Sequence, residues 1–269
     1  RPPRSTQGVS SAASDVYKRQ QMLELEPSLS PGEVTAAIYC ELDGMVEPTL
    51  AAEACIREAA RHGAKVMLET EVTDLTSGPN SATVVAGGKN ISSDVVVLAG
   101  GVENTLLANM AGVSIPQQES PGVVIRTNPI AQPLLSSVSV VYAPPLEQGR
   151  PEIHFRQSLD GTVMIGEGNQ ESLARDDTQP HADELLARAT EYAPGLKGAS
   201  AIPVPVGYRP MPIDGFPVIG SSPQAPNVYL ALTHSGVTLA PVIAQTAVME
   251  IMDGANVEFL RSYRPNRFE

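Results

Sequence analysis

The stretch Asn227–Pro241, NVYLALTHSGVTLAP, reads as a strand, a turn of small residues and the start of a helix. A strand that turns directly into a helix is a common way to hold a nucleotide or an anion. The first N–H groups of a helix have no partner inside it, and its dipole favours negative charge there. The helix is expected from about Thr238 to Met252, with Thr238 as its cap and Pro241 in the first turn, where a missing N–H costs little. Its sequence is apolar nearly all round, which predicts burial. The usual companion of such a turn, a G-x-G-x-x-G after a first strand, occurs nowhere in the 269 residues.

A second candidate edge lies upstream. In SSDVVVLAGG, Val95 to Leu98 is a continuous apolar run, as a strand buried on both faces requires, and Ala99, Gly100 and Gly101 follow at its carboxyl end. Ligands bind at that end of the strands in open α/β sheets, and small residues let backbone approach them closely. An ordinary glycine turn has the same pattern.

Working outward, Pro48 to Arg61 has helical period, with Leu50, Ala54, Cys55 and Ala59 on one face and Gly63 placed as a C-terminal cap. AKVMLETEVTDL then alternates as a strand, and ATVVAGGKNI reads as a hairpin with a glycine turn. The middle changes texture. GVVIRTNPI, SVSVVYAPP, EIHFRQS, TVMIGEG and AIPVPVGYRP are short strand-like segments, interrupted by one helix near Ala182 to Tyr192. Such a run of strands predicts an antiparallel sheet set between two α/β stretches. EVTAAIYCELDG, within residues 31–42, is expected to join that sheet.

Residues 1–20, RPPRSTQGVSSAASDVYKRQ, lack any hydrophobic period. They carry four basic residues and one acid, Asp15, in a chain of net charge −12. The ending SDVYKRQ resembles a translated sequencing adapter, so this segment is expected to be a non-native or disordered tail. On that reading the chain is an N-terminally truncated fragment, and the glycine-rich loop belongs to the part before it.

The composition excludes several classes. The acidic charge and the scarcity of aromatics, 4% with no Trp, argue against nucleic acid. Four scattered His and the two cysteines, Cys40 and Cys55, offer no metal-ligand spacing, so no metal is expected; the thiols are read as buried and unreactive. No apolar run has the roughly 18 residues a membrane span needs, and a cytoplasmic location is the default.

Taken in order, DGMVEPTLAAEACIREAARHGAKVMLETEV, DVVVLAGG, GYRPMPIDGFPVIG and NVYLALTHSGVTLAP resemble the FAD-dependent oxidoreductases of the D-amino-acid oxidase, glycine oxidase and sarcosine oxidase family. The similarity runs from about Leu23 to Phe268. It implies a mixed α/β fold: a glutathione-reductase-type FAD-binding domain, incomplete here, formed by residues 21–118 and 207–269. A substrate domain with an antiparallel or mixed sheet, residues 119–206, is inserted in it.

The resemblance also assigns roles. Leu232, Thr233, His234, Ser235, Gly236, Val237 and Thr238 would pass beside the flavin ring, with the last helix aimed at its pyrimidine end. Val72 would contact the adenine through its backbone, and Ala99, Gly100 and Gly101 would line the cofactor. Arg209, in GYRP, would clamp the substrate carboxylate through two parallel hydrogen bonds. His234 would touch substrate or flavin, while Tyr142, His154 and Tyr208 are candidate pocket residues. FAD is expected to be non-covalent, because no Cys lies near GYRP or the last turn. The implied reaction is oxidation of the C–N bond of a small carboxylate-bearing amine, with oxygen or a quinone as electron acceptor. Oxidation of a 2-hydroxy acid, a non-catalytic flavoprotein subunit and an inactive fragment remain as alternatives.

Overall fold

The structure, a computed structural model, describes residues 14–30, 32, 36–40, 44–135, 139–141, 152–168 and 172–268. Strand β1, Ser14–Lys18, runs into helix α1, Arg19–Leu25, and pairs antiparallel with β2, Ala36–Cys40. Residues 14–20 are thus in regular elements, where a non-native or disordered tail was expected, and residues 36–40 of the segment expected to join the central sheet pair with β1. Val16 and Tyr17 are strand-forming residue types, and β2 supplies their ladder. Residues 1–13 lie outside the described residues.

Helix α2, Pro48–Arg61, begins at its proline and ends at Gly63 in a left-handed turn, φ 97°. Ala64 N–H reaches Ala59 O and Gly63 N–H reaches Ala60 O, the paired bonds of a Schellman cap. Every residue of α2 is exposed, so Cys55 is not the buried thiol expected from its apolar stripe; Cys40 is half-buried. No described element covers that stripe. The next strand is shorter than its alternation predicts. β3 spans Val72–Ser77, while Val66, Met67 and Leu68 before it are exposed and irregular.

The chain continues through β4, Ala82–Ala86, β5, Lys89–Ser93, and β6, Val96–Leu98. β4 and β5 form the expected hairpin, with Ala86 opposite Lys89 and Gly87 and Gly88 both at positive φ between them. Helix α3, Asn104–Met110, leads to the short β7, Gln117–Gln118, and β8, Pro121–Gly122. Strands β9 (Val124–Thr127), β10 (Ser139–Val141), β11 (Ile153–Gln157) and β12 (Val163–Glu167) precede α4 (Gln179–Tyr192) and β13 (Ala201–Pro203). The short β14, Gly207–Tyr208, and β15, Met211–Pro212, precede β16, Val218–Ser222, β17, Ala225–Leu232, and α5, Gly236–Asp253. Among the described residues no helix is long and apolar enough to cross a membrane.

Two compact units result. One takes the described residues up to Ala51 and those from Pro121 to Gly207; the other takes Ala52–Ser120 and Tyr208 onward. In the first unit, the order β10-β11-β12-β9-β13 forms a wholly antiparallel five-stranded sheet. Ile125, Ile153, Phe155, Val163 and Ile165 fill its inner face with Leu185 and Ala189 of α4. Residues 21–30 and 43–51 were expected with the flanking α/β stretches. Instead, Leu29 packs on this core and Ser30 N–H donates to Tyr192 O at 2.7 Å. Beside that core, Glu167 is held by Arg188 at 2.8 Å, with His181 Nε2 also 2.8 Å away.

In the second unit, β16-β17-β6 forms a three-stranded sheet in which β6 is parallel to β17. Leu98, Val218, Leu230 and Leu232 pack with Leu75, Ala108 and Ile115 into one core. β6 is not buried on both faces as its apolar run predicts: it is an edge strand, and Val97 is 47% exposed.

Candidate functional site

The parallel register of β6 and β17, with Leu98 opposite Leu230, brings the carboxyl ends of both strands to one edge of the sheet. β6 gives way there to Ala99, Gly100 and Gly101, and β17 to Thr233, His234 and Ser235. The structure therefore gathers two of the candidate stretches at the edge where open α/β sheets bind ligands.

At the first strand end the organising residue is Asn104, which sequence reasoning did not single out. Its side chain is wholly buried; Oδ1 accepts from Gly100 N–H at 2.7 Å and Nδ2 donates to Leu98 O at 3.3 Å. The amide thus ties the end of β6 to the first residue of α3. Gly100 is small for a reason inside the fold: a Cβ there would stand 2.8 Å from Leu107 Cδ1 and 3.2 Å from Asn104 Oδ1. Gly101 is different. Its φ is 60°, which favours glycine, and a Cβ would meet nothing within 4 Å. Ala99 and Gly100 leave exposed backbone between these demands.

At the second strand end, Leu232 and Thr233 are buried, His234 and Ser235 half-buried, and Gly236, Val237 and Thr238 exposed. Ser235 N–H donates to Thr233 Oγ1 at 3.2 Å, which closes a tight turn. The Ser235 hydroxyl lies 2.9 Å from His234 Nδ1 and makes no side-chain cap on α5, although Ser235 is the cap residue. Thr238 is therefore not the cap: the helix begins two residues earlier, at Gly236, and Pro241 falls inside it. The leading N–H groups at Gly236, Val237 and Thr238 lack a side-chain cap and open to solvent. A Cβ on Gly236 would meet nothing within 4 Å.

The helix they belong to is apolar but not buried as expected. Only Thr246 and Ala247 are fully enclosed, and Val237, Val242, Val248 and Met252 are exposed. Its far end is fixed by a polar group, Glu250. Glu250 accepts from Tyr229 OH at 2.9 Å, from Val257 N–H at 3.1 Å and from both terminal nitrogens of Arg264. Burial pushes the Glu250 carboxyl up, but the hydrogen bonds from Arg264, Val257 and Tyr229 outweigh it and hold it below the usual carboxylate range. Burial, then the bond to Glu250, pushes the Tyr229 phenol well above its ordinary value. The one signal in the sequence was an acid inside an apolar helix, with an arginine in reach near the chain's end.

Arg209 is half-buried, and its N–H donates to Ser120 O at 2.8 Å. Its segment passes through β15, paired with β7, into β16, whose first residue Val218 stands opposite Leu232 at the end of β17. The turn between, Asp214–Phe216, is held by Arg267, whose guanidinium donates to both Asp214 oxygens at 2.7 and 3.0 Å and keeps that carboxyl below its ordinary range. Val72 opens β3 on a separate sheet, opposite Ala86. Tyr208 is exposed, His154 lies on β11 of the other unit, and Tyr142 is outside the described residues.

Residues 4–249 match the DAO family, FAD dependent oxidoreductase, and the chain belongs to that family. An opine oxidase subunit of Rhizobium meliloti is 30% identical over 256 residues, covering 95% of this chain and 65% of that protein. Glycine oxidase of Geobacillus kaustophilus is 26% identical, over 82% of this chain and 57% of its own length. The chain thus spans less than two thirds of these curated relatives. Among solved structures, L-proline dehydrogenase from P. horikoshii superposes with a TM-score of 0.83 at 23% identity, over 96% of this chain and 69% of that one. Glycine oxidase from Geobacillus kaustophilus follows at 0.79 and 23%. These likenesses establish the mixed α/β fold.

Proposed function

We propose that this chain carries the flavin-ring end and the substrate clamp of an FAD-dependent oxidoreductase acting on the C–N bond of a small amino acid or secondary amine. The observation that carries the reading is the uncapped, open amino end of the 18-residue α5, set at the sheet edge where β6 and β17 finish. Its donors fit the electron-rich edge of a flavin, and the open space at Gly236 leaves room for a planar ring to approach backbone.

Bound FAD supplies a two-electron acceptor for the hydride that leaves the carbon beside the amine. The chain's residues supply position and charge. Gly236, Val237 and Thr238 N–H groups, with Leu232 to Ser235 before them, line the ring. Ala99, Gly100 and Gly101 admit the cofactor to the end of β6, and the Val72 backbone meets the adenine. Arg209 grips the substrate carboxylate through parallel N–H bonds and so fixes which C–H is presented. His234, steadied by Ser235, contacts substrate or ring. The product is an imine, which water hydrolyses to a carbonyl and an amine. FAD would be held without a covalent bond, with oxygen or a quinone as the final electron acceptor. The relatives' names, opine oxidase and glycine oxidase, support an amine or amino-acid substrate.

The test is anaerobic bleaching of the flavin-loaded protein by glycine, sarcosine, D-alanine and 2-hydroxyglutarate. Bleaching by an amine with stoichiometric carbonyl release is expected. Bleaching by the hydroxy acid alone would replace the reading with C–O oxidation, and none at all would remove catalysis from it.

A further inference from the structure

His234 stands between two fixed points of the chain. Before it, Leu232 is held in the β16–β17 ladder opposite Val218, and Thr233 is buried. After it, Ser235 N–H donates to Thr233 Oγ1 at 3.2 Å, and Ser235 O accepts a helical bond of α5 from Leu239 N–H at 2.9 Å. The half-buried imidazole is thus carried on backbone pinned from both sides.

Ser235 departs from the usual behaviour of a serine before a helix. Such a serine turns its oxygen back to the leading N–H groups. This one makes no cap bond, and its hydroxyl lies 2.9 Å from His234 Nδ1 instead. The partner is unlike those of two other imidazoles, His62 and His181, which lie against the carboxylates of Glu58 and Glu167. A hydroxyl calls for no charge on the ring, so one ring nitrogen carries hydrogen and the other a lone pair. The direction of the bond follows from what lies behind Ser235. The amino end of α5 carries partial positive charge, which repels a hydroxyl hydrogen and attracts the oxygen's lone pairs. The hydrogen therefore points away from the helix, to Nδ1. With Nδ1 accepting, the ring hydrogen is on Nε2. Nε2 bonds to no described residue.

We infer that Ser235 is a positioning residue: its hydroxyl fixes His234 in the Nε2–H tautomer, which makes the ring a hydrogen-bond donor to a carbonyl oxygen of the flavin and not a base. The inference rests on the proposed function for the flavin; the tautomer is argued from the pair alone. A flavin that takes up two electrons gains negative charge on its carbonyl edge. A donor already aimed there strengthens as that charge grows. No proton leaves His234 in this role. Its lone pair is engaged by Ser235, so it has none to offer the substrate's amine.

The experiment uses the full chain with its four histidines labelled with nitrogen-15 and carbon-13, in mildly alkaline buffer, with His234→Gln to assign the resonances. Correlations from the ring nitrogens to the carbon-bound ring protons distinguish the tautomers. Without FAD, His234 is expected to show a protonated Nε2 and an unprotonated, hydrogen-bonded Nδ1. Ser235→Ala removes the hydrogen-bonded signature of Nδ1, and Ser235→Thr, which keeps a hydroxyl, retains it. Because Ser235 caps no N–H, the Ala variant keeps α5, which an unchanged melting temperature checks. Added FAD shifts Nε2 and leaves Nδ1 nearly in place. FAD affinity falls about three- to tenfold in Ser235→Ala but not in Ser235→Thr, the range of one hydrogen bond. A protonated Nδ1 in the parent, or a spectrum that Ser235→Ala leaves unmoved, overturns the inference. FAD that binds without moving Nε2 overturns the contact with the ring. If FAD fails to bind while Nδ1 responds to Ser235→Ala, the flavin reading fails and the tautomer stands.

Discussion

At the scale of single residues, the site edge depends on Asn104 more than on the glycines that drew attention to it. Its one buried amide satisfies a donor at Gly100 and an acceptor at Leu98. Replacing it with Ala leaves both without that partner, and Asn104→Ala is expected to cost about 1–3 kcal/mol in chemical denaturation. A variant as stable as the parent would show that water substitutes freely. Glu250 is the second such residue. Its side chain is 10% exposed and that of Arg264 21%. Because its folded carboxyl is held below the ordinary 4.5, it stabilises the fold above that pH. The contribution is lost progressively as pH falls from there through the folded value. Glu250→Gln should lower stability at neutral pH by about 1–3 kcal/mol and flatten the acid limb of a stability-against-pH curve. An unchanged acid limb would assign that slope to other carboxylates.

Neither residue was legible in the sequence, for a shared reason. Asn104 and Glu250 act on groups brought to them by tertiary structure, Leu98 in one case and Arg264 in the other, and no period or spacing encodes such partners. Arg209 and Gly236 stood out because their motifs are local.

At the scale of elements, the short-range signals were accurate where the chemistry is local. Pro48 and Gly63 bound α2 as cap residues should, and the double glycine at 87–88 closes the hairpin. Inference from apolarity to burial failed. The runs in α2, β6 and α5 are apolar, yet each leaves a face exposed because no described element packs on it. Apolar composition states what a segment is suited to meet, not what it meets. The start of α5 was also misplaced by two residues, since Ser235 takes the cap position while its hydroxyl turns to His234. Pro241 consequently sits past the first turn and denies Val237 O its helical donor. Pro241→Ala is expected to stabilise the chain by up to about 3 kcal/mol, read as a rise in melting temperature. A fall would mean that the proline ring's own contacts outweigh the helical hydrogen bond it removes.

At the scale of the molecule, the texture change along the sequence is realised as two units of different build: an antiparallel sheet under one helix, and a small mixed sheet whose parallel pair ends in two turns. The family was legible because four motifs occur in order along the chain. The fit of a flavin at α5 is a claim about the open space in front of Gly236. That space makes the claim separable from folding, because a Cβ added there meets nothing of the protein within 4 Å. The decisive measurement is FAD affinity, by quenching of flavin fluorescence, for the protein and for its Gly236→Val variant, alongside their melting temperatures. The account predicts nearly equal melting temperatures and an FAD affinity at least about tenfold weaker in the variant, a difference of about 1.4 kcal/mol. Equal affinities at equal stability, or no FAD binding by the parent protein, would contradict it.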